Sequence, residues 1–241
     1  MIAMHKKHNQ SGFTLVELMV ALVLGMFLTA GVIQVFTSNQ QTYRVTENLS
    51  RLQENGRFAI EFIARDVREA NYKACLDATF LMPNAITGLN NQSTVIYGAT
   101  VISDTITVIK STVVPCAAPA SATSVDPAQT FSIQAGASGL PSLYNNAGEL
   151  VEGIESLQIL YGEDTDTDGS PNYYVPAGTV GLNMAQVVSV RISLVAMTIE
   201  DNLTQQANPV SVFGAAYTPP AVDRKIRRVF STTIALRNLR G

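Results

Sequence analysis

At 241 residues the chain can bury an ordinary core, and 46% apolar against 15% charged residues argues for a folded body rather than a disordered polymer. Both histidines, His5 and His8, fall in the first twelve residues, so the remainder has no Ser-His-Asp triad, Cys-His pair or His-bearing zinc site. The formal charge is −3; without Lys6 and Lys7, 14 basic side chains face 19 acidic ones, a net −5 that does not suit a general nucleic-acid binder.

The N-terminal stretch 1–12, MIAMHKKHNQSG, is polar and basic, and 13–36, FTLVELMVALVLGMFLTAGVIQVF, is apolar. As a helix, 13–36 reaches roughly 36 Å, enough for a hydrocarbon core of about 30 Å. The basic flank predicts a cytoplasmic N-terminus with the rest of the chain across the membrane. An ordinary secretory signal has the same outline, but here Glu17 stands inside the apolar run, no small-residue A-x-A site follows it, and Gly12 directly precedes it.

Gly12, Phe13, Thr14, Leu15 and Glu17 form G-F-T-L-x-E, which resembles the class III signal of type IV pilins and pseudopilins. The resemblance implies cleavage after Gly12 by an inner-membrane prepilin peptidase and N-methylation of the new terminal residue, Phe13. A carboxylate in an apolar bundle is tolerable when it meets a positive charge, and the nearest candidate is the Phe13 α-amino group of a neighbouring subunit. Glu17 is therefore expected to dock one subunit on the next; the alternative is a carboxylate snorkelled at the interface.

Beyond Phe36 the sequence turns polar, with no proline before Pro83. Val45, Leu49, Leu52, Gly56, Ala59, Ile63, Val67 and Ala70 recur at steps of three and four, one face of a helix, while Arg51, Glu54, Arg57, Glu61, Arg65 and Arg68 lie opposite. A single helix is predicted from about Phe13 to about Tyr72, its second half laid on a globular domain. Gly25, Gly31 and Gly56 are its weak points.

From about Ser93 the period becomes two. DTITVIKS at 104–111 and VVSVRISLVAMTI at 187–199 read as half-buried antiparallel strands, the second directing Val188, Val190, Ile192, Leu194 and Ala196 one way. Further strands are predicted at Thr94–Tyr97, Thr130–Gln134, Leu150–Tyr161 and Lys225–Leu236, and loops at 113–129 and 135–148. The fold class is α+β: a long N-terminal helix packed on antiparallel sheet, with a second small sheet, the type IV pilin fold that the signal implies. The layout is a leader at 1–12, a membrane helix at 13–36, an amphipathic helix at 37–74 and a β-rich body at 75–241.

Cys75 and Cys116 both fall on the non-cytoplasmic side of this topology, where an oxidising compartment favours a disulfide between them; two separate buried thiols are the alternative. Asp164-Thr-Asp166-Thr-Asp168-Gly169 matches the opening D-x-D-x-D-G of a calcium loop, and Asn172 fits its ninth position. Val175 stands where the bidentate glutamate belongs, so either an acidic hairpin turn or weak Ca²⁺ binding by Asp164, Asp166, Asp168 and Asn172 is expected. No cofactor is otherwise required. Arg224, Lys225, Arg227 and Arg228 crowd the start of the last strand, as charges guarding an edge or as a contact for an acidic subunit or phospholipid.

RLQENGRFAIEFIARDVREANYKAC at 51–75, GIESLQILYGEDTDTDG at 153–169 and RRVFSTTIALRN at 227–238 together resemble the PilW family of minor pilins, similar in architecture to the J-type pseudopilins. The resemblance implies a Gram-negative inner-membrane subunit with a periplasmic domain, later carried to the pilus tip. Its implied partners are other minor pilins, the major pilin, the prepilin peptidase, the assembly platform and a tip adhesin, without direct contact to nucleic acid. The expected function is to prime pilus assembly. A pseudopilin of type II secretion and a filament-displayed module that binds surfaces or DNA are the alternatives, and no enzyme activity is expected.

Overall fold

The computed structural model describes residues 12–72, 85–96, 99–111 and 126–238, and the chain divides into two compact units between Glu47 and Asn48. One helix, α1, Leu15–Arg68, belongs to both. In the first unit every residue from Gly12 to Arg44 is exposed, including Phe13, Leu22 and Phe27, and α1 is long and apolar enough to cross a membrane. It continues through Gly25, Gly31 and Gly56.

In the second unit α1 buries Asn48, Leu52, Gly56, Ala59, Ile63, Ala64, Asp66 and Val67. These include the middle of the predicted stripe, while Val45 and Leu49 are only half-buried. Gly56 belongs on that face for a steric reason: a Cβ there would overlap the Phe230 ring. The helix stops four residues before the predicted Tyr72, because Asn71 takes a left-handed conformation (φ 59°). Asn238 secures this end, its side-chain amide donating to Ala70 O (3.2 Å) and Arg68 O (3.3 Å).

The strands follow in chain order as β1 Ile86–Ile96, β2 Ala99–Val108, β3 Gln129–Ala135, β4 Pro141–Asn145, β5 Gly148–Glu152, β6 Ile154–Glu163, β7 Tyr173–Val175, β8 Val187–Met197, β9 Val210–Val212, β10 Ala215–Tyr217 and β11 Arg227–Ala235. Those up to β5 form a five-stranded meander, the order β11-β8-β6-β7 makes a four-stranded sheet, and β9 and β10 make a separate ribbon. Among the described residues every pairing is antiparallel. The long helix on antiparallel sheets is the α+β architecture expected.

Three local expectations change. The stretch 135–148, expected as a loop, contains β4, held between β3 and β5 with Leu143 fully buried. The expected single strand Leu150–Tyr161 is two strands in different sheets, broken at Gly153 (φ 77°). Gly153 N–H donates to Pro141 O (2.9 Å) and its carbonyl accepts from Met197 N–H (2.8 Å), so one residue ties both sheets. β8 is more than half-buried: Val190, Ile192, Leu194 and Ala196 are inaccessible on one side, and so are Ser193 and Val195 on the other.

The two sheets are further joined by side chains that act where a ladder is missing. Ser103 Oγ accepts from Leu157 N–H (3.1 Å), and buried Asp104 accepts from Ile159 N–H (2.7 Å) and from Asn91 N–H at the β1 bulge (2.8 Å). Burial pushes the Asp104 carboxyl above its ordinary pKa despite both bonds.

Candidate functional site

The exposed apolar half of α1 opens on a reciprocal cap. Glu17 N–H donates to Thr14 Oγ1 (3.2 Å), while Thr14 N–H (2.8 Å) and the Thr14 hydroxyl (3.0 Å) donate to Glu17 Oε2. This is the capping box T-x-x-E, with Thr14 at the N-cap and Glu17 at the third helical position. The spacing of Thr14 and Glu17 in Thr14-Leu15-Val16-Glu17 carries this signal in the sequence, beside the subunit-docking role expected of Glu17. One local carboxylate thus holds two N-terminal donors, both on Thr14, the residue after Phe13, which is itself 91% exposed.

The acidic turn between β6 and β7 brings the carboxylates of Asp164, Asp166 and Asp168 within 4.8 Å of one another, Asp164 buried and the other two exposed. Gly169 N–H donates to Asp164 Oδ2 (2.6 Å) and Ser170 N–H to Asp168 Oδ1 (2.6 Å), which folds the loop around its acids. Asn172 belongs to the same closed loop. Its Oδ1 accepts from Thr165 N–H (2.7 Å) and the Thr165 hydroxyl (3.0 Å), and its amide helps hold the Asp166 carboxyl below the usual range. Val175, the twelfth position, lies in β7 opposite Tyr161 and offers no side-chain oxygen.

The basic cluster separates. Arg224 and Arg228 are exposed, as edge charges would be, but the Arg227 side chain is fully buried. Its Nε and Nη2 donate to the two oxygens of Glu155 (2.6 and 3.0 Å), and Nη2 also reaches Asp223 (2.5 Å). Arg227 is therefore an internal ion-pair centre, not the edge charge its sequence neighbours suggested. Glu155 also meets Tyr217, whose hydroxyl is pushed well above its ordinary pKa by burial and by that carboxylate. Neither position in sequence nor alternation along β11 could distinguish Arg227 from Arg228: alternation places Arg228, with Phe230 and Ile234, on the side that packs into the core, and Arg227 is drawn inward by Glu155 and Asp223 instead.

A shallow groove of about 430 Å³ lies on the second unit between Arg51, Asn55, Phe58 and Phe62 of α1 and Leu150, Glu152 and Ile199. Cys75 and Cys116 lie outside the described residues.

Residues 130–238 match the family model of PilW, the Type IV Pilus-assembly protein W, and residues 7–33 match the Prokaryotic N-terminal methylation motif. Among solved structures, the type IV-like pilin TTHA1219 from Thermus thermophilus is similar, with 12% identity, a TM-score of 0.46, and coverage of 78% of this chain and 98% of that one. No curated protein matches the chain.

Proposed function

We propose, for a chain that its two family matches make a PilW-like minor pilin of the type IV pilus class, a place in the initiation complex that primes assembly of the major pilin and ends at the pilus tip. The observation that carries the reading is the first unit: a stretch apolar from Phe13 to Phe36, helical from Leu15 and exposed throughout, whose start is capped by a single carboxylate. An apolar surface of this extent must be covered by lipid or by other helices. Both occur in turn if the subunit waits in the inner membrane, its second unit in the periplasm, and is then drawn into a filament.

In this reading Gly12 and Phe13 are the processing pair, Glu17 docks on a neighbouring subunit, and the partners are other minor pilins, the major pilin and the assembly platform. The protein works as a structural component and not as an enzyme. Deleting the gene is expected to strip the cell of surface pili while unassembled major pilin remains in the membrane, and the intact gene to restore them. Surface pili in normal number on the deletion strain would refute the priming role, and lost secretion beside normal pili would move the chain to a type II secretion machine.

A second proposal concerns the acidic turn. Three converging carboxylates repel one another, and a divalent cation relieves that repulsion. With no oxygen from Val175, Ca²⁺ would be held by Asp164, Asp166 and Asp168, with Asn172 beside them already accepting from Thr165. Binding should be weak, with Kd on the order of 10⁻⁴–10⁻³ M, and lost in Asp166→Asn. A flat calorimetric titration of the unaltered protein at millimolar Ca²⁺ would dispose of the site.

A further inference from the structure

The chain contains four Asn-x-Ser/Thr triplets, Asn9-Gln-Ser11, Asn48-Leu-Ser50, Asn91-Gln-Ser93 and Asn202-Leu-Thr204. The triplet is the minimal acceptor for N-linked glycosylation. Bacterial transferases that perform this reaction outside the cytoplasm also read an acidic residue two positions before the asparagine, where a carboxylate can pair with a transferase cation. Only the last triplet has one: Glu200-Asp201-Asn202-Leu203-Thr204, against Lys7, Thr46 and Leu89 at the corresponding positions of the others.

Asn9 lies outside the described residues, and the fold separates the other three in the same way. Asn48 is buried within α1 at 4% exposure. Asn91 is exposed and also left-handed (φ 52°), but it lies inside β1 with its backbone N–H held by Asp104 (2.8 Å), so strand pairing is what sets it apart. Asn202 stands in the segment after β8, outside helix and strand, with Glu200, Asp201 and Asn202 all exposed and Asn202 in the left-handed region (φ 61°). Among the described residues its carboxamide makes no hydrogen bond, whereas its N–H donates to Asp201 Oδ1 (2.7 Å).

We propose that Asn202 is an acceptor of an N-linked glycan transferred from a polyprenyl-diphosphate-linked oligosaccharide. The inference rests on the topology proposed above, which puts this segment outside the cytoplasm. In the transfer, Asn202 Nδ2 bonds to the anomeric carbon of the first sugar, and the bond from that carbon to the diphosphate oxygen breaks. The oxygen keeps the electron pair and the polyprenyl diphosphate leaves with the proton lost by the amide. Nothing is oxidised or reduced.

Local structure sets when this occurs. The Thr204 hydroxyl, which a transferase reads, donates to Gln206 O (2.6 Å), and Leu203 and Thr204 N–H both reach Arg224 O (3.1 Å). Transfer therefore takes place before this segment closes on Arg224, or during a local opening that leaves the two sheets intact. A glycan there would leave the packing of β8 against β6 and β11 undisturbed.

The test is peptide mapping by mass spectrometry of the full chain taken from its own cells. Trypsin releases Ile192–Arg224 as one peptide, with Asn202 as its sole Asn-x-Ser/Thr acceptor. That peptide should carry a glycan mass absent in Asn202→Gln and in Thr204→Val, and Glu200→Gln should lower occupancy about tenfold, the loss of one charge-assisted contact. An unmodified Ile192–Arg224 peptide overturns the proposal, as does a glycan that persists in Asn202→Gln. The same digest reports the N-terminal peptide independently. One that begins at methylated Phe13 supports the pilin processing whatever Asn202 carries, and one that still contains Gly12 counts against that processing alone.

Discussion

Arg227→Leu is expected to lower the stability of the folded body by about 3–5 kcal/mol, the range for removing one partner of a buried ion pair. Arg227 makes two bonds to Glu155 and reaches Asp223 through Nη2 (2.5 Å) and Nη1 (3.3 Å), with no side-chain exposure of its own. Leucine fills much of the space but leaves the Glu155 carboxylate, itself 9% exposed, without its cation. The exposed pair Arg68–Glu61 is the contrast: at 3.7 Å with side chains half or more exposed, its loss should cost under about 1 kcal/mol. Urea unfolding of the detergent-solubilised chain, followed by circular dichroism because the sequence has no tryptophan, measures both.

Two further readouts separate this cause from simple loss of packing. Replacing Glu155 by leucine as well should recover a large part of the deficit, since a buried pair exchanged for apolar residues is often neutral; additive losses would show that charge pairing was not the cause. The second is pH. Burial raises the Asp223 carboxyl, but the Arg227 hydrogen bond, the Lys225 N–H and both positive charges hold it on balance below its ordinary value. A carboxyl with a depressed folded pKa contributes stability that is present above its unfolded pKa, about 3.9, and is lost as pH falls through the folded value. The unaltered protein should therefore weaken below about pH 4, and Arg227→Leu should lose Asp223's share of that slope.

What was legible in the sequence is what a single period encodes. Leu52, Ala59, Ile63 and Val67 are buried because steps of three and four put them on one side of α1, and Val190, Ile192 and Leu194 because steps of two put them on one side of β8. The same periods carry no information about polar residues drawn inward by partners far along the chain. Asp66 is buried because Lys110, 44 residues on, reaches it at 3.1 Å, and Arg227 because Glu155 lies beneath it. β4 escaped because Pro, Ser and Asn make its sequence resemble a loop while its neighbours supply the ladder. Gly153 reads as an ordinary strand glycine until two sheets are seen to need its carbonyl and its positive φ. At the acidic turn, the spacing of Asp164, Asp166 and Asp168 was legible, whereas the bond from Thr165 to Asn172 depends on how the loop closes.

Glu17→Ala is expected to leave leader removal and membrane level near normal and to lower the recovery of the chain in sheared filaments about a hundredfold, the equivalent of roughly 3 kcal/mol for an ion pair lost from an apolar surrounding. The capping box makes the comparison informative. Alanine deprives Thr14 N–H and its hydroxyl of an acceptor, worth about 1 kcal/mol at a helix start, but it also removes a carboxylate that is costly in hydrocarbon. The two effects oppose each other in the membrane, so a large defect can arise only where the carboxylate meets something new, which the docking proposal identifies as the α-amino group of Phe13 on a neighbour. Thr14→Ala removes the hydroxyl half of the cap but keeps the charge, and should assemble within a few-fold of normal. Glu17→Gln keeps an acceptor for Thr14 without the charge. If it assembles as poorly as Glu17→Ala, charge pairing between subunits is what Glu17 supplies. If Glu17→Ala itself enters filaments normally, the carboxylate is a helix cap and no more.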